Sequence, residues 1–200
     1  MFKRRHRSFG IIGFALLATL RPVAAVQTGG GSQQVPEVAV KAALLYNFAK
    51  FTEWPTLARG APIVSCIVGD ERIAKAFVEI VGTHTIDEHP LVLGPSQSGS
   101  SWSACHILFI ADTKAARSAA GLAGVTTLPV LTVSDSKGFA EAGGIIELYA
   151  SGGQMRFVIN IEAVSRSGLR LSSRLLSLAT IIRQTRSPSG SERSWRNSEQ

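Results

Sequence analysis

Two kinds of apolar pattern run along this chain. Val38, Ala42, Leu45 and Ala49 recur at helical spacing. They predict a helix opened by Pro36, running to about Thr52 and stopped by Trp54-Pro55. Beside that stripe lies a second one, Leu44, Phe48 and Phe51, shared with Glu37 and Lys41. Together they span more than the roughly 100° that a surface helix presents to one core. Either the helix is buried on two sides or the second stripe meets another chain. We assign Leu44, Phe48 and Phe51 to a partner or dimer surface.

Beyond this helix, strand and helix signals alternate. Pro62 to Val68 is a continuous apolar run, as expected of a strand buried on both faces. Glu71 to Val81 reads as a helix closed by Gly82. Leu91 to Leu93 is a short strand, and Pro95 to Ser103 a Ser/Gly-rich loop. His106 to Ala111 is a second buried strand, Thr113 to Leu122 a helix, and Pro129 to Val133 a third buried strand, with a helical turn near Phe139. Gly144 to Tyr149 and Met155 to Ile161, joined at Ser151-Gly152-Gly153, read as a β-hairpin. Glu162 to Ser167 is a helical turn ended by Gly168. Ser172 or Ser173 caps a last helix with Leu175, Leu176, Leu178, Ala179 and Ile182 on its apolar side. The expected fold is a single α/β domain over residues 36–184. It has a mostly parallel sheet with helices on both faces, a C-terminal β-hairpin and a closing helix.

The ends differ from this body. Lys3, Arg4, Arg5 and Arg7 precede an apolar run of twelve residues, Phe9 to Leu20, and then Arg21-Pro22 and Val23-Ala24-Ala25. That is the order of a secretory signal cleaved near Ala25. The run is shorter than the roughly 20 residues a membrane-spanning helix needs. Residues 26–35 read as a flexible leader. From Thr185 the Ser/Arg/Gly/Pro-rich chain reads as a disordered tail. The protein is therefore expected to work outside the cytoplasm.

Export changes what the charge means. The formal net charge of +7 includes five basic residues and no acidic one within residues 1–25. Without them 16 basic residues face 14 acidic ones, and residues 26–165 alone are net acidic, nine against twelve. A nucleic-acid binder would carry its basic excess on the folded body. Here the excess sits in the last 35 residues, so no nucleic-acid partner is expected. The mature chain has two cysteines, Cys66 and Cys105, and no Cys-x-x-Cys. In an oxidising compartment two cysteines allow one bridge, and a structural disulfide is expected. If the first and third strand signals are sheet neighbours, the two cysteines come within bridging range.

Catalytic patterns are sparse. Asp70, Asp112 and Asp135 each follow a strand signal, where ligands gather in open α/β sheets, and three carboxylates there could bind Mg²⁺. Each also precedes a helical segment, where aspartate caps free N–H groups, and helix capping is the preferred reading. Val68-Gly69-Asp70 lacks the further glycines of a dinucleotide fingerprint. His84, His89 and His106 show no zinc spacing, and His106 and its neighbour Cys105 point to opposite faces of a strand. No cofactor, metal site or catalytic residue is expected. The residues favour a protein that acts by binding, with a small-ligand binder using the strand-end crevice as the alternative to a regulator.

Several stretches together resemble the YfiR family of periplasmic regulatory proteins. They are Val40 to Pro55, Cys105 to Ile110, Pro129 to Asp135, Phe139 with Gly143-Gly144-Ile145-Ile146, Arg156 to Ile161, and Gly168 to Leu176. They are collinear over about residues 38–180. The resemblance implies a secreted, dimerising α/β protein without catalysis. Such a protein restrains the periplasmic sensor part of an inner-membrane diguanylate cyclase and so lowers cyclic-di-GMP and biofilm formation. The resemblance implies relief under envelope stress, through redox change or an outer-membrane lipoprotein partner. Cys66 and Cys105 match the positions of the family's strand-to-strand disulfide. A second cysteine pair found in some members near the late hairpin is missing here, with Ile145, Ile146 and Gly153 in that region. Glu53-Trp54-Pro55, Arg156 and Asn160 are family-typical positions.

Overall fold

A computed structural model describes residues 35–96, 102–111, 122 and 124–183. The expected signal, nearly all of the leader, Asp112, the helix over Thr113–Leu122 apart from Leu122 itself, and the tail lie outside the described residues. The elements in chain order are α1 (Glu37–Lys50), β1 (Thr52–Glu53), β2 (Ile63–Val68), α2 (Glu71–Val81), β3 (Thr85–Ile86), β4 (His89–Leu93), β5 (Ile107–Ile110), β6 (Leu131–Ser134), β7 (Ile146–Ser151), β8 (Gln154–Asn160), α3 (Ile161–Ser167), β9 (Arg170–Leu171), α4 (Ser173–Ser177) and β10 (Thr180–Ile182). One sheet of eight strands has the order β10-β8-β7-β6-β5-β2-β4-β3, and β1 pairs with β9 apart from it. From β4 through β2, β5 and β6 to β7 the pairing is parallel, and β8 closes the hairpin antiparallel to β7.

The continuous apolar runs mark the strands that bury both faces. Ile63 and Ile67 of β2, Ile107 and Phe109 of β5, and Leu131 and Val133 of β6 face the larger core, which α1 and α2 complete. Cys66, Leu108 and Ile110 face the other way, against Leu122, Val125, Val130 and Phe139. Alternation along a strand puts the two sets on opposite faces. Gly144 lets the second core close: a Cβ there would lie 2.1 Å from the Phe139 ring.

Caps set most helix limits where the sequence puts them. The Asp70 side chain accepts the Arg72 N–H and opens α2, while Gly82 closes it. Asn160 accepts the Ala163 N–H and opens α3, and Gly168 ends that helix in the left-handed conformation with φ 70°. Ser172 caps α4 through the Leu175 N–H.

The first and last helices are shorter than their apolar patterns suggest. α1 stops at Lys50, because Thr52–Glu53 pair antiparallel with Arg170–Leu171 and Thr52 Oγ1 returns a hydrogen bond to the Phe48 carbonyl. The closing helix expected to reach Ile182 stops at Ser177. Thr180, Ile181 and Ile182 join the sheet instead, parallel to β8. Three consecutive β-branched residues fit a pleated strand better than a helix, and β8 offers them an open ladder.

The disulfide joins Cys66 of β2 to Cys105, just ahead of β5, with the Cα atoms 5.9 Å apart. It sits on the face of the smaller core, and no free cysteine remains among the described residues. Gly94 packs beside it, since a Cβ there would meet Cys66 Sγ at 2.8 Å. The bridge closes 39 residues of chain. Loop-closure entropy for that length amounts to about 4 kcal/mol. Cys66→Ser should therefore lower the unfolding free energy in urea by about 2–5 kcal/mol. An unchanged denaturation midpoint would show that the strands hold their register without the bridge.

Candidate functional site

The broad apolar arc of α1 is explained mainly from within the chain. Ala42, Leu45, Phe48 and Ala49 are buried, and α1 packs against α2 as well as the sheet. Phe48 is 1% exposed and meets the Phe157 ring of β8 edge-on at 5.1 Å. It therefore belongs to the core, which corrects its assignment to a partner surface. A helix wedged between a sheet and a second helix needs two apolar stripes. Leu44 and Phe51, from the same stripe, are half-buried. The Arg174 guanidinium lies 5.6 Å from the Phe51 ring centre, and the Phe51 carbonyl accepts the Ser172 N–H.

Large apolar side chains also lie exposed at the β10 end of the sheet, namely Leu178 at 69% and Ile181 at 41%. Ile181 pairs in register with Ile159, so it faces the same side as α1. Sequence reasoning put Leu178 on the apolar side of a closing helix and did not single out Ile181. The β-branched run from Thr180 to Ile182 was the signal that could have exposed them.

Asp70 and Asp135, the two described aspartates of the three, are each held by a neighbouring cation. The Asp70 carboxylate is taken up by Arg72, whose guanidinium approaches to 2.7 Å and holds the acid below its ordinary range. Asp112 lies outside the described residues. Asp135 caps no helix, contrary to expectation, because an irregular turn follows β6. Its Oδ2 instead receives Lys41 Nζ at 2.6 Å, and the same ammonium reaches Glu37 at 2.6 Å. Burial pulls the Lys41 pKa down, but hydrogen bonds to Asp135 and Glu37 outweigh it, and the net displacement is upward. Asp135 Oδ1 is buried without a hydrogen-bond partner. Among the described residues no three His, Cys, Asp or Glu side chains cluster as metal ligands.

Asp135 sits at the head of a crevice that strand lengths create. β6 ends at Ser134, opposite Glu147, while β7 continues to Ser151. Past that point β7 has β8 on one side and, among the described residues, no strand on the other. A hollow of about 440 Å³ opens there, lined by Asp135, Lys137, Glu147, Tyr149 and Val158 among others. A neighbouring one of about 220 Å³ reaches Glu37, Lys41 and Met155. It lies past the carboxyl end of β6, whereas the switch point of the strand order, the usual crevice of an open α/β sheet, falls between β2 and β5.

At the opposite end of β5, Trp54 and His106 tie the strand starts together. The Trp54 indole N–H donates to the His106 carbonyl at 3.3 Å, and the two rings meet edge-on. His106 Nδ1 accepts the Val64 N–H at 3.1 Å. An imidazole that accepts at Nδ1 must be neutral there, with its proton on Nε2. Burial, then the charge of His89, depresses the His106 pKa. Asn160 is fully buried, and besides capping α3 it donates from Nδ2 to the Ala140 carbonyl at 2.7 Å. Arg156 is exposed and donates to the Gln154 side chain at 3.4 Å.

Compared with known proteins, the chain matches one family model, described as YfiR/HmsC-like, over residues 38–180. No curated protein matches it.

Two outcomes follow from the side-chain geometry. Lys41→Met leaves Asp135 as an unpaired, largely buried carboxylate and should cost about 2–4 kcal/mol in urea unfolding. The double variant Lys41→Met/Asp135→Asn should recover part of that loss. A cost below about 0.5 kcal/mol would place the pair with ordinary surface ion pairs. Because the folded-state pKa of His106 lies below its unfolded value, its contribution is complete above about pH 6.5 and is lost as pH falls through the folded pKa. His106→Asn keeps an acceptor for Val64 but cannot titrate. Its unfolding free energy should fall less than wild type's between pH 7.5 and 5; equal losses would contradict the assigned role of His106.

Proposed function

This chain belongs to the YfiR/HmsC-like family, and on that premise we propose that it restrains an inner-membrane diguanylate cyclase by binding the cyclase's periplasmic sensor part. Family membership supports the coarse role, a periplasmic regulator of diguanylate cyclases rather than an enzyme. In the proposed arrangement, residues 1–25 direct export with cleavage near Ala25, and the protein lowers cyclic-di-GMP and biofilm formation from across the membrane. No helix among the described residues is long and apolar enough to cross a membrane.

The contact surface we propose is the β10 end of the domain. Leu178 and Ile181 are exposed apolar side chains on a sheet edge, and Leu44 and Phe51 are the half-exposed residues of the α1 stripe that leans on β8. The observation that carries this choice is the exposure of Leu178 and Ile181 beside an open strand edge. Such edges pair readily with other chains. The same surface would serve the homodimer expected of the family, and an outer-membrane lipoprotein would relieve restraint by competing for the protein. A bound regulator shifts a two-state sensor only by its differential affinity for the two states. So the protein binds the inactive sensor more tightly than the active one.

Deleting the gene should raise cellular cyclic-di-GMP, and restoring the exported protein should lower it again. The same protein lacking residues 1–25 should not complement. Leu178→Glu/Ile181→Glu, at exposed positions, should leave the urea midpoint unchanged yet lose complementation. Unchanged cyclic-di-GMP on deletion, or full complementation by the unexported form, would overturn the cyclase reading. The strand-end crevice would then carry the function as a small-ligand site.

A further inference from the structure

The crevice beyond β6 has an apolar floor, a defined backbone edge and an unbalanced charge, and the Lys41–Asp135 ion pair forms part of its wall. The Asn160 N–H donates to the Ile145 carbonyl across the hairpin at 2.9 Å. In an alternating antiparallel ladder this phase turns the amides of Glu147 and Tyr149 toward β8 and that of Ala150 toward the vacant side. Ala150 therefore offers an N–H and a carbonyl to whatever fills the space. The hollow of about 440 Å³ falls within the size range of small-molecule sites. Tyr149 and Val158 supply half-buried apolar surface at its wall.

Charge selects the ligand. The two adjoining hollows bring together three carboxylates, Glu37, Asp135 and Glu147, and two ammonium groups, Lys41 and Lys137. Lys41 is already shared between Glu37 and Asp135. One Glu147 oxygen is occupied by the Ala140 N–H. Asp135 keeps an oxygen with no hydrogen-bond partner. The balance is one negative charge in excess, in a hollow that stays open to solvent on the side of Lys137 and Ala150.

We propose that this crevice binds a small organic monocation, an ammonium group on an apolar body. The ammonium lies toward Asp135 and Glu147, and the body lies along Tyr149 and Val158. The site is independent of the cyclase reading, because it rests on the hairpin and β6 rather than on the β10 edge.

The test uses the purified mature chain and two probes of nearly equal shape and opposite charge, phenethylammonium and phenylacetate. Amide resonances are followed by NMR during titration. Phenethylammonium should produce saturable shifts confined to Glu147–Ala150, Val158 and the turn at Asp135–Lys137, and phenylacetate should produce none at the same concentrations. Lys137 is exposed, so Lys137→Glu should leave folding unchanged and tighten phenethylammonium binding by about fivefold. Tyr149→Ser should weaken it by about tenfold through lost apolar contact. The absence of saturable shifts, or equal binding of the two probes, would overturn the proposal. An affinity for phenethylammonium that ignores Lys137→Glu would overturn it as well.

Discussion

Strands β2, β5 and β6 bury both faces, and that requirement places almost everything else. On one side the sheet needs a helical layer, which α1 and α2 provide around Ile67, Phe109 and Val133. On the other side it needs a second, smaller core, which Leu122, Val125, Val130 and Phe139 build over Leu108 and Ile110. The disulfide lies in that second core and ties β2 to the start of β5. β6 is only four residues long, so the hairpin that follows overshoots it. The crevice at Asp135 is the geometric consequence.

Much of this was legible in the chain because buried parallel strands leave a plain mark. Ile63 to Val68, Ile107 to Ile110 and Pro129 to Val133 are largely apolar runs, and their order predicts the parallel core. Asp70, Gly82, Gly168 and Ser172 announced the helix ends correctly through local capping chemistry. The two-residue strands β1, β3 and β9 left no comparable mark, since two residues cannot show a period. The stretch from Leu175 to Ile182 failed for a different reason. Its apolar spacing suits a helix, but the β-branched residues at its end and the open side of β8 decide for a strand. Tertiary pairing overrode local periodicity there.

The candidate site was less legible than the fold. Phe48 and its neighbours read alike in sequence, yet Phe48 is locked on Phe157 while Leu44 and Phe51 stay half-exposed. Periodicity locates an apolar stripe but not which neighbour covers it. Asp135 looked like a helix cap because an aspartate after a strand usually precedes a helix. Its actual partner, Lys41, lies 94 residues away in the chain, and no local rule reaches that far. That ion pair links the first turns of α1 to the end of β6, so the helix and the crevice share one electrostatic unit.

The functional account depends on binding that distinguishes two states of a membrane sensor. The most direct measurement reconstitutes the full-length cyclase in lipid nanodiscs and follows cyclic-di-GMP synthesis while the purified mature protein is added from the periplasmic side. The account predicts a saturable fall in the initial rate, lost with Leu178→Glu/Ile181→Glu and absent for a cyclase lacking its periplasmic part. A rate that stays constant up to saturating protein, or that falls equally for the truncated cyclase, would contradict it.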